Sequence, residues 1–235
     1  YDILFSYFYR YSFFAALLAK CFGKKTYFTG GIDSLDSDYA SAFNYKIQAL
    51  FFKLCYWVAD SCIIVSQSDL KNIFKVSSLK KKLSYSEHVI NTKLFIADVP
   101  KEKIFTSIVW MGDEGNVVRK GVDKALQIFA ELKKIPEFVD YRFVIIGRKG
   151  EGEVLVRSII DKYNLKGSVE LKGEVSEEDK INLLKQSKYY FQLSLYEGFG
   201  LAALEALCAN NIIIHSGKGG LALSLIHISE PTRLR

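Results

Sequence analysis

Short, nearly continuous apolar runs alternate with longer amphipathic segments along most of this chain. The runs 61–65, 143–147 and 189–194 are five or six residues long, whereas residues 39–59 and 121–134 carry apolar side chains at helical spacing. Strands that are apolar on both faces are typical of parallel sheets covered by helices on both sides. The alternation therefore predicts an α/β fold built from doubly wound, Rossmann-like sheets.

Two such series of strands and helices are separated by residues 91–103, which contain Pro100 and follow neither period. We expect one Rossmann-like domain in residues 1–96 and a second in residues 97–222. The chain begins with Tyr1 rather than Met, and its first series starts in the middle of the pattern. We expect both domains to be incomplete, and the chain on its own to have little or no activity.

Residues 223–235 stand apart from both series. The run from Leu223 to Arg233 resembles the in-frame translation of a transposase-type sequencing adapter, and the alternative is a genuine strand that starts at Leu223. We favour the non-native tail, and segments of that kind are left out of fold reasoning.

Charge and composition exclude several function classes. The net charge is +6, and the only dense basic run, residues 80–82, is typical of a solvated turn, so we expect no nucleic-acid binding. Apolar stretches such as 13–19 and 49–58 are too short to span a bilayer, although the aromatic first third allows peripheral contact with a membrane. Four widely spaced cysteines in apolar segments favour a reduced, cytoplasmic protein.

The candidate site follows the strand that ends near Ser194. Glu197 and Glu205 lie eight positions apart, and Gly198 and Gly200 allow a ligand to approach the backbone closely. The first N–H groups of a helix starting near Gly200 suit hydroxyl groups or an anion. The carboxylates would accept hydrogen bonds from a sugar and from a ribose diol; the alternative is an acidic helix start with a surface glutamate.

The segment from Glu197 to Glu205 resembles the E-x7-E motif of retaining GT-B glycosyltransferases of the group 1 family. Four further segments resemble other family motifs, and with them the resemblance covers most of residues 1–221: ADSCIIVS at 59–66, RKGVD at 119–123, FVIIG at 143–147 and VELKGEV at 169–175.

The resemblance implies an enzyme that transfers a hexose-type sugar from a nucleotide sugar, with retention, to a glycan, a lipid-linked acceptor or a small molecule. By position, Lys120 would neutralise the donor diphosphate and Glu197 would contact the transferred sugar, and these two are the candidate catalytic residues. Glu205 would bind the ribose. The candidate donor-binding residues are Gly198, Phe199, Gly200, Leu201, Glu205, Arg119 and Gly147. The location implied is the cytoplasm, with the inner face of the membrane as an option.

One departure from the family pattern keeps a second hypothesis open. The family usually places Arg after the Gly that ends its first donor-domain strand, but here Asp113 follows Gly112. Arg119 either substitutes or points to solvent. The second hypothesis is a non-catalytic module that binds nucleotide sugars, and a GT-B epimerase or phosphorylase is a weaker third.

We expect no metal and no cofactor beyond the nucleotide-sugar substrate. The pattern Asp36-Ser37-Asp38 would bind a metal in the other major glycosyltransferase fold, but its place before a helix favours helix capping. At a second departure, Asn210 stands where the family has Gly, and Asn also adopts the left-handed conformation.

Overall fold

The computed structural model describes residues 2–7, 9–29, 41–65, 67–76, 81–86, 88–96, 98–197 and 199–218. The chain divides into two compact units, of which the first comprises Tyr1–Val89, Tyr196–Phe199 and Gly219–Arg235, and the second Ile90–Leu195 and Gly200–Lys218. The tail at 223–235 lies outside the described residues, and its interpretation and the domain boundary at 96/97 stay predictions.

The described residues of the first unit form four parallel strands in the order β1-β2-β3-β4. The strands are β1 (Ile3–Ser6), β2 (Lys25–Phe28), β3 (Ser61–Ile64) and β4 (Leu83–Tyr85), and the helices between them are α1 (Tyr9–Cys21), α2 (Ala42–Val58) and α3 (Gln67–Val76). The three helices pack on the sheet in one apolar cluster that includes Ala16, Phe28, Phe52 and Ile73.

Lys82, in the basic run of residues 80–82, is used inside the first unit. Its Nζ donates to the carbonyl oxygens of Tyr56 at 3.2 Å and Trp57 at 3.0 Å, at the C-terminal end of α2. A cation there stabilises the carbonyl groups that the helix leaves without partners. Residues 81 and 82 form a turn, as predicted, and Lys80 lies outside the described residues.

The second unit holds a five-stranded parallel sheet in the order β7-β6-β5-β8-β9. The strands are β5 (Glu102–Ile108), β6 (Arg142–Ile146), β7 (Val169–Gly173), β8 (Ser187–Gln192) and β9 (Ile212–His215). The helices are α4 (Glu114–Lys120), α5 (Val122–Leu132), α6 (Gly152–Lys162), α7 (Glu177–Gln186) and α8 (Leu201–Cys208). Short 3-10 turns lie at Thr92–Leu94 and Pro136–Phe138.

Helices cover both faces of this second sheet, as the sequence predicts. One cluster joins Phe105 and Phe143 of the sheet to Phe129 of α5 and Val156 of α6. Another joins Ile104, Val144 and Ile146 to Leu183 of α7. The chain runs outward from β5 to β7 and then returns to β8, so the strand order reverses between β5 and β8. In such sheets, ligands bind beyond the carboxyl ends of the strands at this switch point.

The ends of two helices follow from their local sequence. Ser176 caps α7, because its Oγ accepts a hydrogen bond from the Asp179 backbone N at 3.0 Å. Asn210, which follows α8, has φ of 62° and so adopts the left-handed conformation expected where the family has glycine.

Residues 114–120 form α4, a helix that the sequence pattern does not indicate. Asp113 is its N-cap, and its Oδ1 accepts from the Asn116 backbone N at 2.6 Å. The helix is only two turns long and contains Gly115, so it shows too little apolar periodicity to be recognised.

Candidate functional site

The turn at residues 119–121 lies at the switch point between β5 and β8. Gly121 ends α4 and begins α5 with φ of 70°, and a Cβ atom there would lie 2.1 Å from the carbonyl oxygen of Leu193. The Leu195 backbone N donates to the Arg119 carbonyl oxygen at 2.8 Å. The turn therefore packs directly on the backbone that leaves β8, and only glycine permits that approach.

Arg119 and Lys120 occupy the last turn of α4, and both are half-buried. The Arg119 Nη2 donates to Asn116 Oδ1 at 2.6 Å, and Asn116 Nδ2 in turn donates to the carbonyl oxygen of Trp110, just after β5. The Asn116 amide thus ties the guanidinium to the end of β5. Two cations at a helix C-terminus also interact favourably with the helix dipole.

Gly147 lies at the end of β6, next to β5. Its φ is 134°, and a Cβ atom there would lie 2.0 Å from the carbonyl oxygen of Val109. Two backbone hydrogen bonds join the chain after β5 to the chain at the end of β6, from Val109 N to Ile146 O and from Met111 N to Arg148 O, each at 2.9 Å. At Gly147, therefore, the backbones that follow β5 and β6 lie too close together for a side chain.

The connection from β8 to α8 begins with buried, hydrogen-bonded residues. Ser194 Oγ accepts from Gln192 Nε2 at 2.9 Å, and its carbonyl oxygen accepts from Ser216 Oγ at 2.6 Å. Gly200, with φ of 81°, is the N-cap of α8, and Leu201 is its first residue. The predicted glycine-led helix start is confirmed, whereas Gly198 lies outside the described residues.

Residues 196–199 group with the first unit. Tyr196 is buried, and its Oη donates to Oδ1 of the fully buried Asp69 at 2.7 Å. The rings of Phe199 and His88 meet edge to face, with centroids 5.2 Å apart. Glu197 is half-buried between these anchored neighbours. Sequence reasoning missed both anchors, because their partners are far apart in the chain.

Glu205 lies on the second turn of α8 and is paired with Lys180 of α7. Lys180 Nζ is 3.0 Å from Glu205 Oε1, 2.9 Å from Oε2, and 2.7 Å from Glu177 Oε1. Burial alone would lower the pKa of Lys180, but hydrogen bonds to Glu177 and Glu205 outweigh it and raise that pKa above its usual range. No sequence motif indicated Lys180.

Among the described ranges, no group of three or more His, Cys, Asp or Glu side chains is arranged to hold a metal ion. Asp36 and Asp38 lie outside those ranges. In the same part of the chain, no helix is both long and apolar enough to cross a membrane.

Residues 115–228 match the profile of the family described as "Glycosyl transferases group 1". One human relative, which is part of phosphatidylinositol N-acetylglucosaminyltransferase, is 31% identical over 120 residues, or 49% of this chain and 24% of that protein. GDP-mannose:cellobiosyl-diphosphopolyprenol alpha-mannosyltransferase of Xanthomonas oryzae pv. oryzae (strain PXO99A) is 36% identical over 101 residues, or 42% and 26% of the two chains. The chain thus spans about a quarter of the length of either relative.

Among solved structures, sucrose-phosphate synthase from Thermosynechococcus elongatus superimposes with a TM-score of 0.78 at 21% identity, over 95% of this chain and 58% of that one. At this identity the similarity to the solved structure shows the fold alone. The chain therefore has the α/β fold of GT-B glycosyltransferases, and its residues 115–228 are similar to the glycosyltransferase group 1 family.

Proposed function

We propose that the protein is a glycosyltransferase that takes a sugar from a nucleotide-sugar donor bound at the switch point of the second unit. The observation that carries this proposal is the turn at 119–121, which contains two half-buried basic residues and whose backbone packs on the backbone leaving β8. That backbone leads directly into Glu197 and α8. A cationic turn at the carboxyl edge of a parallel sheet suits a diphosphate.

The chemistry follows from where charge develops in the reaction. When the bond between sugar and diphosphate breaks, negative charge builds up on the leaving diphosphate, and fixed cations stabilise it. Lys120 would supply the main charge and Arg119, held by Asn116, the second. Backbone N–H groups of Phe199, Gly200 and Leu201 would hold the sugar with Glu197. Removing one such donor typically costs about 3–4 kcal/mol in the barrier.

The two relatives support the donor and acceptor classes we propose. One is named for a GDP-mannose donor and a diphosphopolyprenol-linked acceptor, the other for phosphatidylinositol. We propose a nucleoside-diphosphate hexose as the donor and a lipid-linked or glycan acceptor. Retention of the anomeric configuration is part of the proposal, and the coupling constant of the anomeric proton in the product would test it, since an inverted product would refute retention.

The test of the site uses the protein expressed from its complete reading frame. Lys120→Ala and Glu205→Ala should each lower kcat/KM for the donor at least tenfold while the fold persists. Lys124→Ala is the matched control, because Lys124 is an exposed lysine on α5 next to the turn. Activity like that of the wild type in both site variants would refute the assignment.

We also propose that transfer needs no metal ion. This rests on the positive charge of Arg119 and Lys120, which can neutralise a diphosphate without Mg²⁺. Activity should survive chelation with EDTA, and a loss of activity that Mg²⁺ or Mn²⁺ restores would contradict the proposal.

A non-catalytic module that binds nucleotide sugars is the second candidate function, and Asp113 favours it. The carboxylate at this position caps α4 instead of offering the positive charge that the family pattern places there. Calorimetric titration with nucleotide sugars, followed by assays for transfer and hydrolysis, distinguishes the two. Binding without turnover would favour the module.

We propose a cytoplasmic location with peripheral contact at the inner face of the membrane. Exposed apolar side chains recur at helical spacing on two helices of the first unit, namely Phe14, Leu18 and Phe22 near α1 and Phe43, Leu50 and Trp57 on α2. Exposed Lys46 and Lys53 lie on the same helix as the second set. Such surfaces favour anionic lipid interfaces. Co-sedimentation with anionic vesicles should fall in a Leu18→Ser/Trp57→Ser variant, and unchanged sedimentation would contradict the contact.

A further inference from the structure

The half-buried ion pair between α7 and α8 is not explained by the group 1 motif. The Lys180 side chain is 16% exposed and that of Glu205 is 19% exposed, whereas Glu177, the other partner of Lys180, is 69% exposed. The Nζ atom lies within 3.0 Å of both Glu205 oxygens. Lys180 therefore fixes the orientation of a carboxylate that would otherwise rotate freely.

The number of acceptor sites on the carboxylate allows it to bind a ligand at the same time. An ionised carboxylate has about four lone-pair sites. Lys180 occupies one site on each oxygen, which leaves one on each oxygen for a further donor. Two hydroxyl groups on adjacent carbons, as in the 2′,3′-diol of a ribose, match two such sites on one carboxylate.

We propose that Lys180 is a positioning residue, which holds the Glu205 carboxylate oriented so that both of its oxygens accept hydrogen bonds from the ribose diol of the nucleotide. This inference rests on the proposed function, in which Glu205 binds the ribose. Lys180 itself does not touch the nucleotide. Its contribution is to order the carboxylate before the donor binds, so that binding does not have to immobilise that side chain.

The experiment compares ribonucleotides with their 2′-deoxy forms. Dissociation constants of UDP, GDP, 2′-deoxy-UDP and 2′-deoxy-GDP are measured by calorimetry for the wild type, Lys180→Met, Lys180→Arg and Glu177→Gln in the protein from its complete reading frame. Lys180→Met should weaken binding of the ribonucleotide roughly threefold to tenfold, the cost of immobilising one side chain. It should weaken the 2′-deoxy form less, because that form has only its 3′-hydroxyl to offer Glu205, so the preference for ribose falls.

The two other variants separate positioning from general packing. Lys180→Arg keeps a cation beside Glu205 and should retain most of the ribose preference. Glu177→Gln removes the exposed partner only and should bind like the wild type. If Lys180→Met fails to fold, Lys180→Gln gives the same comparison with a shorter neutral side chain.

The possible failures are distinguishable. If the wild type binds ribonucleotides with a ribose preference and the neutral Lys180 variants keep that preference, or weaken both nucleotide forms equally, the positioning role is refuted. If the wild type binds none of the four nucleotides, the proposed function fails first. If it binds them without a ribose preference, the ribose role of Glu205 is overturned, and the role of Lys180 with it.

Discussion

Replacing Gly121 with Ala tests whether the turn at 119–121 must touch the backbone that leaves β8. The new Cβ atom would lie 2.1 Å from the Leu193 carbonyl oxygen and 2.5 Å from its carbonyl carbon. Both are backbone atoms, so no side-chain rotation relieves the overlap. Gly167→Ala is the matched control, because Gly167 has φ of 82° but a Cβ atom there would meet nothing within 4 Å.

The expected loss in the free energy of unfolding has two parts. A left-handed conformation costs a non-glycine residue about 1–2 kcal/mol, and about 0.4–1 kcal/mol of this is offset because alanine has fewer unfolded conformations. Gly167→Ala should therefore lower the free energy of unfolding by about 1 kcal/mol. Gly121→Ala also has to displace packed backbone, which adds about 1–3 kcal/mol and brings the total to about 2–4 kcal/mol.

Urea denaturation of the two variants measures this difference, and donor kinetics measure its functional consequence. Because Arg119 and Lys120 precede Gly121 directly, a shift of the turn moves both cations. A displacement of about 1 Å at a reacting centre can cost about a hundredfold in rate, so we expect kcat/KM for the donor to fall at least tenfold in Gly121→Ala alone. Equal losses of stability in the two variants would refute the close-contact argument.

Three further outcomes follow from contacts within single units. Lys101→Met should lower the free energy of unfolding by about 1.5–3 kcal/mol, since Lys101 Nζ donates to carbonyl oxygens at the ends of both α7 and α8. As a control, replacing the exposed Lys103 by Met should lower it by less than about 1 kcal/mol. Equal losses for the two variants in urea denaturation would contradict this prediction. Asp113→Ala removes the N-cap of α4 and should lower the free energy of unfolding by about 1 kcal/mol. It should also weaken UDP binding, because α4 carries Arg119 and Lys120. Unchanged UDP binding in calorimetry would show that α4 does not position the binding residues. Burial raises the pKa of the Cys55 thiol to about 12, so a thiol reagent near pH 8 should label exposed Cys21 and reach Cys55 only after unfolding; labelling of native Cys55 would show that its segment opens.

Most of the fold could be predicted because most of its elements carry their own local signal. Residues 143–147 are apolar throughout, so they could be assigned to a buried strand, and β6 occupies Arg142–Ile146. Ser176 could be recognised as a helix cap from the acidic residues that follow it. The α4 helix could not, because residues 114–120 include Gly115 and too few apolar positions for a period to show.

The contacts that position the candidate site could not be read from the sequence, for a different reason. Lys180 and Glu205 are 25 positions apart, and Tyr196 and Asp69 are 127 apart. Each of these pairs depends on the packing of two elements, and neither partner stands in a motif that names the other. Sequence patterns indicated candidate site residues. They did not indicate the residues that position those side chains.

The presence of Asp at position 113 is explained by its role as the N-cap of α4. A carboxylate at the N-cap and two cations in the last turn are both favourable to the same helix dipole. Asp113 therefore stabilises the helix whose C-terminal end carries Arg119 and Lys120 against the backbone leaving β8. An arginine at position 113 would lose that cap and place a cation at the positive end of the dipole. If the diphosphate lies at the turn 119–121, the departure from the family pattern changes how the cations are held and does not by itself remove them.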